Sequence, residues 1–236
     1  MIDWHSHVLP AIDDGSHSIA QSLEMLGMLK EQGVDTVIAT PHFYANDESV
    51  DEFLERRERS AKALRERLAD SDLPSVHLGA EVRYYPGISR MEGLNKLCIE
   101  GTKLLLLEMS FNEWSASTVR ELSEIISSKG IKLILAHIER YYKLQNESTW
   151  DRLYSEGIIM QVNATFFTSG LTKRRALSML ESSEIHLLGS DCHNTTTRQP
   201  QLGRAYELIS KKLGDGILAD MDGFGRVLLG KEQFVN

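Results

Sequence analysis

Short apolar runs alternate with longer amphipathic stretches along this 236-residue chain. Seven runs stand out: Met1–Trp4, Val34–Thr40, Val76–Ala80, Leu104–Leu107, Ile131–Ala136, Ile158–Val162 and Ile185–Gly189. Each is rich in Ile, Val or Leu, as parallel strands buried on both faces are. Between the runs, apolar residues recur at helical spacing. Ile19, Leu23, Leu26 and Leu29 stripe Ser18–Gln32, with Gly33 as a stop, and Leu54, Ala61, Leu64 and Leu68 form the buried side of Phe53–Leu68. Val119–Ser127, Trp150–Glu156 and Leu171–Glu181 repeat the pattern, and Leu202–Leu213 begins a helical tail. Strand and helix in alternation, about seven times over, predict an α/β fold with a parallel sheet and helices outside it. A closed or distorted barrel and an open doubly wound sheet both satisfy this pattern. With no Pro/Gly/Ser-rich linker, low-complexity tract or repeat, a single domain over residues 1–236 is expected.

Composition narrows the class of partner. The net charge of −8 argues against a general nucleic-acid binder, which needs a basic face for phosphates. Two cysteines cannot staple a chain of this length and fit a reducing compartment. No apolar run approaches the roughly 18 residues of a membrane span, and the start lacks the features of a signal peptide. The expectation is a cytoplasmic protein without membrane insertion. No apolar stripe marks an interface, so the oligomeric state stays open.

The chemistry sits where the runs end. Met1–Trp4 leads into His5-Ser6-His7, and the next two runs lead to Pro41-His42 and Glu81. The later runs lead to Glu108, His137, Asn163 and Asp191-Cys192-His193. In parallel α/β folds these C-terminal strand ends face the site. His5 and His7 are two apart on extended chain and share a face, a geometry that Asp191 and His193 repeat. A lone histidine after a strand is commonly a satisfied polar residue, but five of the eight histidines lie at such ends. Mixed imidazoles and carboxylates form a metal-ligand inventory that suits manganese, zinc or iron better than magnesium. His17, His77 and His186 lie elsewhere and are expected to be structural or solvent-facing.

Together, His5-Ser6-His7, Asp13-Asp14-Gly15, Thr40-Pro41-His42, Gly79-Ala80-Glu81, His137-Ile138-Glu139-Arg140-Tyr141 and Asp191-Cys192-His193 resemble the polymerase-and-histidinol-phosphatase (PHP) superfamily. More closely they resemble its bacterial metal-dependent protein-tyrosine phosphatases, encoded with capsular and exopolysaccharide genes. The resemblance runs from residue 2 to about residue 210. It implies a distorted, TIM-like seven-stranded β/α barrel with three divalent metal ions, manganese foremost and iron, zinc or magnesium as alternatives. Carried onto this chain, one ion takes His5, His7, Glu81 and Asp191, and a second takes Glu81, Glu108 and His137, with Glu81 bridging. The third takes Asp14, His42 and His193, the choice of Asp14 over Asp13 following the family pattern. Three such ions less four carboxylates leave two positive charges, which a phosphate-monoester dianion neutralises. Arg140 and Arg198 are placed to clamp phosphate oxygens as catalytic residues. The implied substrate is a phosphotyrosine protein, the tail of a tyrosine autokinase of polysaccharide export. A small-molecule phosphatase of histidinol-phosphate type, a phosphodiesterase and a non-catalytic metal-binding regulator are the competing readings.

Three features admit a second interpretation. Cys192 to Arg198 also matches the C-x5-R signature of cysteine-dependent tyrosine phosphatases. The stretch lacks the glycine such a cradle uses, and Cys192 lies between two proposed ligands, facing away from both. Tyr141 either lines the mouth of the site or packs. Phe43-Tyr44 either stacks on an aromatic substrate or caps the barrel.

Overall fold

A computed structural model describes residues 1–230; the rest of the expected 1–236 domain lies outside the described residues. The first half contains β1 (Ile2–Ser6), α1 (Ile19–Glu31), β2 (Thr36–Ala39), β3 (His42–Phe43), α2 (Val50–Leu68), β4 (Ser75–Leu78), β5 (Glu81–Arg83) and β6 (Leu104–Glu108). The second contains α3 (Ala116–Lys129), β7 (Lys132–Leu135), α4 (Glu147–Ser155), β8 (Ile159–Asn163), α5 (Thr165–Thr168), α6 (Lys173–Glu181), β9 (Leu187–Gly189), α7 (Leu202–Leu213) and α8 (Asp215–Leu228).

The fold is mixed α/β around a curled parallel sheet. Strands run in the orders β1-β2-β4 and β3-β5-β6-β7-β8-β9. Where the sequence predicts seven runs, the second and third each break in two. Pro41, with no N–H to give the ladder, separates β2 from β3, and Gly79-Ala80 separates β4 from β5. Each break moves the chain from the three-stranded array into the six-stranded one. At the far side, β9 turns back toward β1. Asp191 N–H donates to the His5 carbonyl (2.7 Å) and His7 N–H to the Cys192 carbonyl (3.0 Å). The Asp3 carboxylate accepts from Ser190 N–H (2.7 Å) and from its hydroxyl (2.6 Å).

Helix starts follow capping chemistry that apolar spacing does not reveal. Ser49 and Glu52 form a reciprocal capping box, so α2 begins at Val50 rather than Phe53. Ser115 and Asn146 cap α3 and α4, which likewise start earlier than the first periodic residue. Leu171 lies outside α6 and is 98% exposed.

Both faces of the sheet are apolar, which explains the continuous runs. Leu105, Leu107, Leu133, Leu135 and Val162 join the large cluster beneath the helices. Leu104, Leu106, Ile134, Ile159 and Leu187 point the other way, into a smaller cluster with Ile2, Trp4 and Ile38. Phe224 and Leu228 of α8 pack on that inner cluster. The chain thus places aliphatic packing along its strands and polar side chains at their C-terminal ends.

Candidate metal centre

The nine side chains expected to ligate metal come together in the structure. His5 and His7 bring their Nε2 atoms to 3.2 Å of each other at the end of β1, both fully buried. Glu81, at the start of β5, lies between them and the histidines opposite. Its Oε2 is 3.2 Å from His5 Nε2, 3.4 Å from His7 Nε2 and 2.9 Å from His42 Nδ1. Its Oε1 is 2.9 Å from His137 Nε2, which is 3.6 Å from Glu108 Oε1. Asp191 Oδ1 lies 3.6 Å from His7 Nε2 and from His193 Nδ1. Asp14 Oδ1 is 3.3 Å from both His42 Nε2 and His193 Nε2.

Metal ions fit this donor set on one specific ground. Glu81 Oε2, His42 Nδ1 and His193 Nε2 are buried and have no hydrogen-bond partner. Leaving such atoms dry and unpaired costs about 1–3 kcal/mol each. Three groupings would satisfy them: His7, Asp14, His42 and His193; His5, His7 and Glu81; His42, Glu81 and Glu108. His137 and Asp191, both expected as ligands, fall outside all three, and His42 rather than His137 joins Glu81 and Glu108. Imidazole with carboxylate is the chemistry of transition-metal sites.

Supporting bonds orient the imidazoles. Asp13 Oδ2 sits 2.7 Å from His7 Nδ1, and the carboxylate also accepts the backbone N–H groups of His42 and Gly15. Asp13 therefore faces away from the cluster while its neighbour Asp14 reaches into it. A second chain of supports runs through Asn163, expected at its strand end, and Gln161, which the sequence reading did not single out. Gln161 Oε1 accepts His137 N–H (2.7 Å), Gln161 Nε2 donates to Asn163 (3.1 Å), and Asn163 Nδ2 donates to Asp191 Oδ2 (2.8 Å). Glycines permit the close approach: a Cβ at Gly189 would lie 2.5 Å from His5 Cβ, and one at Gly15 2.4 Å from the His7 carbonyl oxygen. His137 (φ 34°) and Asp191 (φ 50°) occupy the left-handed region, strain that the surrounding bonds hold in place.

Charge is balanced within the cluster. Burial opposes a charge on His7, but Asp13 and Glu81 outweigh it and lift the imidazole to about 10. Burial also opposes ionisation of Asp191, yet His5 and His7 hold its carboxyl below the usual range.

At the rim, Arg140 Nη2 lies 2.6 Å from Asp191 Oδ2, and Arg198 Nη2 lies 2.9 Å from Asp191 Oδ1. A third guanidinium, Arg83, was not foreseen; it pairs with Glu108 Oε2 at 2.7 Å. Cys192 is fully buried, and burial pushes its thiol well up. Tyr141 packs: it is fully buried, with its hydroxyl bonded to the Ala136 carbonyl. Phe43 is buried, whereas Tyr44 is exposed and stacked on His42. His186 lies away from the cluster, and its Nδ1 accepts Met160 N–H.

The profile of the family described as capsular polysaccharide synthesis, CpsB/CapC, matches residues 1–222. The chain belongs to the CpsB/CapC family. Among this family chain's relatives, the tyrosine-protein phosphatase YwqE of Bacillus subtilis (strain 168) is 33% identical over 222 residues, covering 91% of this chain and 85% of YwqE. The tyrosine-protein phosphatase CpsB of Streptococcus pneumoniae is 33% identical over 230 residues, covering 91% of each. A crystal structure from work on YwqE and CpsB, described there as unique metal-dependent tyrosine phosphatases, superposes with a TM-score of 0.85 at 27% identity, covering 99% of this chain and 96% of that one. Histidinol phosphate phosphatase from Lactococcus lactis, at 13% identity and a TM-score of 0.56 over 89% of this chain and 92% of its own, shares the fold. No helix among the described residues is long and apolar enough to cross a membrane.

Proposed function

We propose that this CpsB/CapC chain is a metal-dependent tyrosine-protein phosphatase with three divalent cations at its strand ends. His5, His7, Glu81 and Asp191 hold one; Glu81, Glu108 and His137 hold a second; Asp14, His42 and His193 hold the third. The observation that carries this reading is Glu81 Oε2, buried without a hydrogen bond among three histidine nitrogens within 3.4 Å. Such an oxygen suits a carboxylate shared between cations. Manganese, foremost by the family resemblance, is the proposed ion; the mix of imidazole and carboxylate suits it as it does zinc or iron. Bound there, the ions would supply a water of lowered pKa and neutralise phosphate charge.

The protein's own groups do the rest. Arg140 and Arg198 present planar forks beside Asp191, matched to phosphate oxygens. Asp13 fixes the ring of His7 so that Nε2 faces the cluster. Asn163 and the two arginines fix Asp191. Cys192 takes no part, being sealed beneath the site. The same reading treats β2 with β3 and β4 with β5 as two broken staves, so that seven staves form a distorted barrel closed where Ser6 meets Cys192. It places the enzyme in the cytoplasm, with the tail of a tyrosine autokinase as substrate, in keeping with the family's link to capsular polysaccharide synthesis.

The test is metal content measured beside hydrolysis of a phosphotyrosine peptide. Exhaustive chelation is expected to abolish turnover, and added manganese to restore it; His42→Ala should lose both activity and bound metal. Full hydrolysis by chelated, metal-free protein would overturn the proposal.

A further inference from the structure

Four large hydrophobic side chains are exposed among the described residues: Tyr44, Phe111, Leu144 and Leu171. All four lie between the C-terminal end of a strand and the next long helix, in the loops after β3, β6, β7 and β8. Scattered exposed apolar residues are ordinary, but their confinement to one end of a sheet is not. Two of them touch the metal centre. Tyr44 stacks on His42, ring centroids 5.4 Å apart and planes 29° apart. Phe111 stacks on His137, with centroids 6.2 Å and planes 22° apart. His42 and His137 in turn approach the two different oxygens of Glu81, each at 2.9 Å. One exposed aromatic ring therefore backs the histidine at Oε2, and the other backs the histidine at Oε1.

The Phe111 ring is held in place. The Arg83 guanidinium lies 5.3 Å from the centre of the Phe111 ring while bonding Glu108. Phe111 also meets buried Tyr141 at 5.9 Å. Tyr44 borders a cavity of about 340 Å³ whose other walls include Ile12, Asp14, His42 and Arg56. The cavity shares Asp14 and His42 with the metal centre and leaves one face of Tyr44 open beside it, while Phe111 stands outside it, at His137.

We propose that Tyr44 and Phe111 are specificity residues that flank the aryl ring of a phosphate monoester whose phosphate lies on the metal centre. This rests on the phosphatase reading of the site and adds the basis of its choice for tyrosine. Phosphotyrosine carries a flat ring next to its phosphate, whereas phosphoserine and phosphothreonine carry only a short alkyl stem. Aromatic walls reward the first and gain little from the others, since ring pairs add about 0.5–1.5 kcal/mol beyond simple burial. Arg83 is the positioning residue for the Phe111 wall.

The experiment compares two inert phosphonates as competitive inhibitors of phosphotyrosine-peptide hydrolysis. Phenylphosphonate and ethylphosphonate share the anionic head and differ in the ring. The ratio of their inhibition constants isolates the contribution of the walls. In the Tyr44→Ala/Phe111→Ala double variant the advantage of the phenyl compound is expected to fall about fivefold or more. Tyr44→Phe and Phe111→Tyr, which keep a ring in place, should preserve it. A ratio in the double variant within fivefold of the parent's would overturn the proposal. Absence of phosphotyrosine hydrolysis in the parent protein would instead sink the underlying activity, so the two failures are told apart.

Discussion

Asp13 turns its carboxylate toward His7 Nδ1 and two backbone N–H groups, whereas Asp14 extends toward His42 and His193. Removing the charge of Asp13 leaves the proposed ligands in place but loosens the His7 ring. Asp13→Asn is therefore expected to weaken metal affinity by about 10–100-fold, read by calorimetric titration of the metal-stripped protein. Two adjacent acids before a glycine do not announce such a division of labour; only the family pattern favoured Asp14, and the division appears when β1 and β3 bring His7 and His42 to Asp13. Arg83 was invisible for a related reason. A basic residue ending a three-residue strand looks solvated until the pairing of β5 with β6 sets it opposite Glu108. At Cys192 the sequence argument and the burial agree. Cys192→Ser is expected to retain phosphatase turnover, and a dead variant that still folds and binds metal would revive the cysteine mechanism.

Elements follow the same division between local and distant information. The positions of β6, β7 and β9 were legible because each carries a short aliphatic run with a clear end, and those of β1 and β8 because their apolar residues are broken before the strand end only by Asp3 and Gln161. The pieces β3 and β5, of two and three residues, carry too little pattern to be seen, although His42 and Glu81 stand on them. Helix starts were misplaced wherever the first turn is polar and capped, as at Ser49. Close packing between strands gives this level its sharpest test. At Gly189 on β9, an added Cβ would collide with His5 and Gln161. Gly189→Ala is expected to destabilise the fold by about 1–3 kcal/mol, measured by urea denaturation, and to lower metal affinity with it, because β1 must shift.

Over the whole molecule, the sheet's ends are tied by few but specific bonds. Asp35, just before β2, pairs with Arg226 of α8 at 2.8 Å and with the N-terminal ammonium at 2.7 Å. Burial is the largest single influence and pushes its carboxyl up, yet these partners and the Thr36 hydroxyl together outweigh it and depress the carboxyl below the ordinary range. A depressed acid stabilises the folded state above its unfolded pKa, near 4, and loses that contribution as the pH falls further. Asp35→Asn should lower stability at pH 7 by no more than about 1 kcal/mol, since the pair is half exposed. The gap from the parent should shrink as denaturation is repeated at progressively more acid pH below 4. The seam between β1 and β9 has a different consequence. The first histidines of the cluster stand at the end of β1 and the last follows β9, with the Asp191 and Cys192 backbone needed to seat them. A single cut in the backbone anywhere between those two strands would therefore split the proposed ligands between two fragments, neither of which holds the whole set.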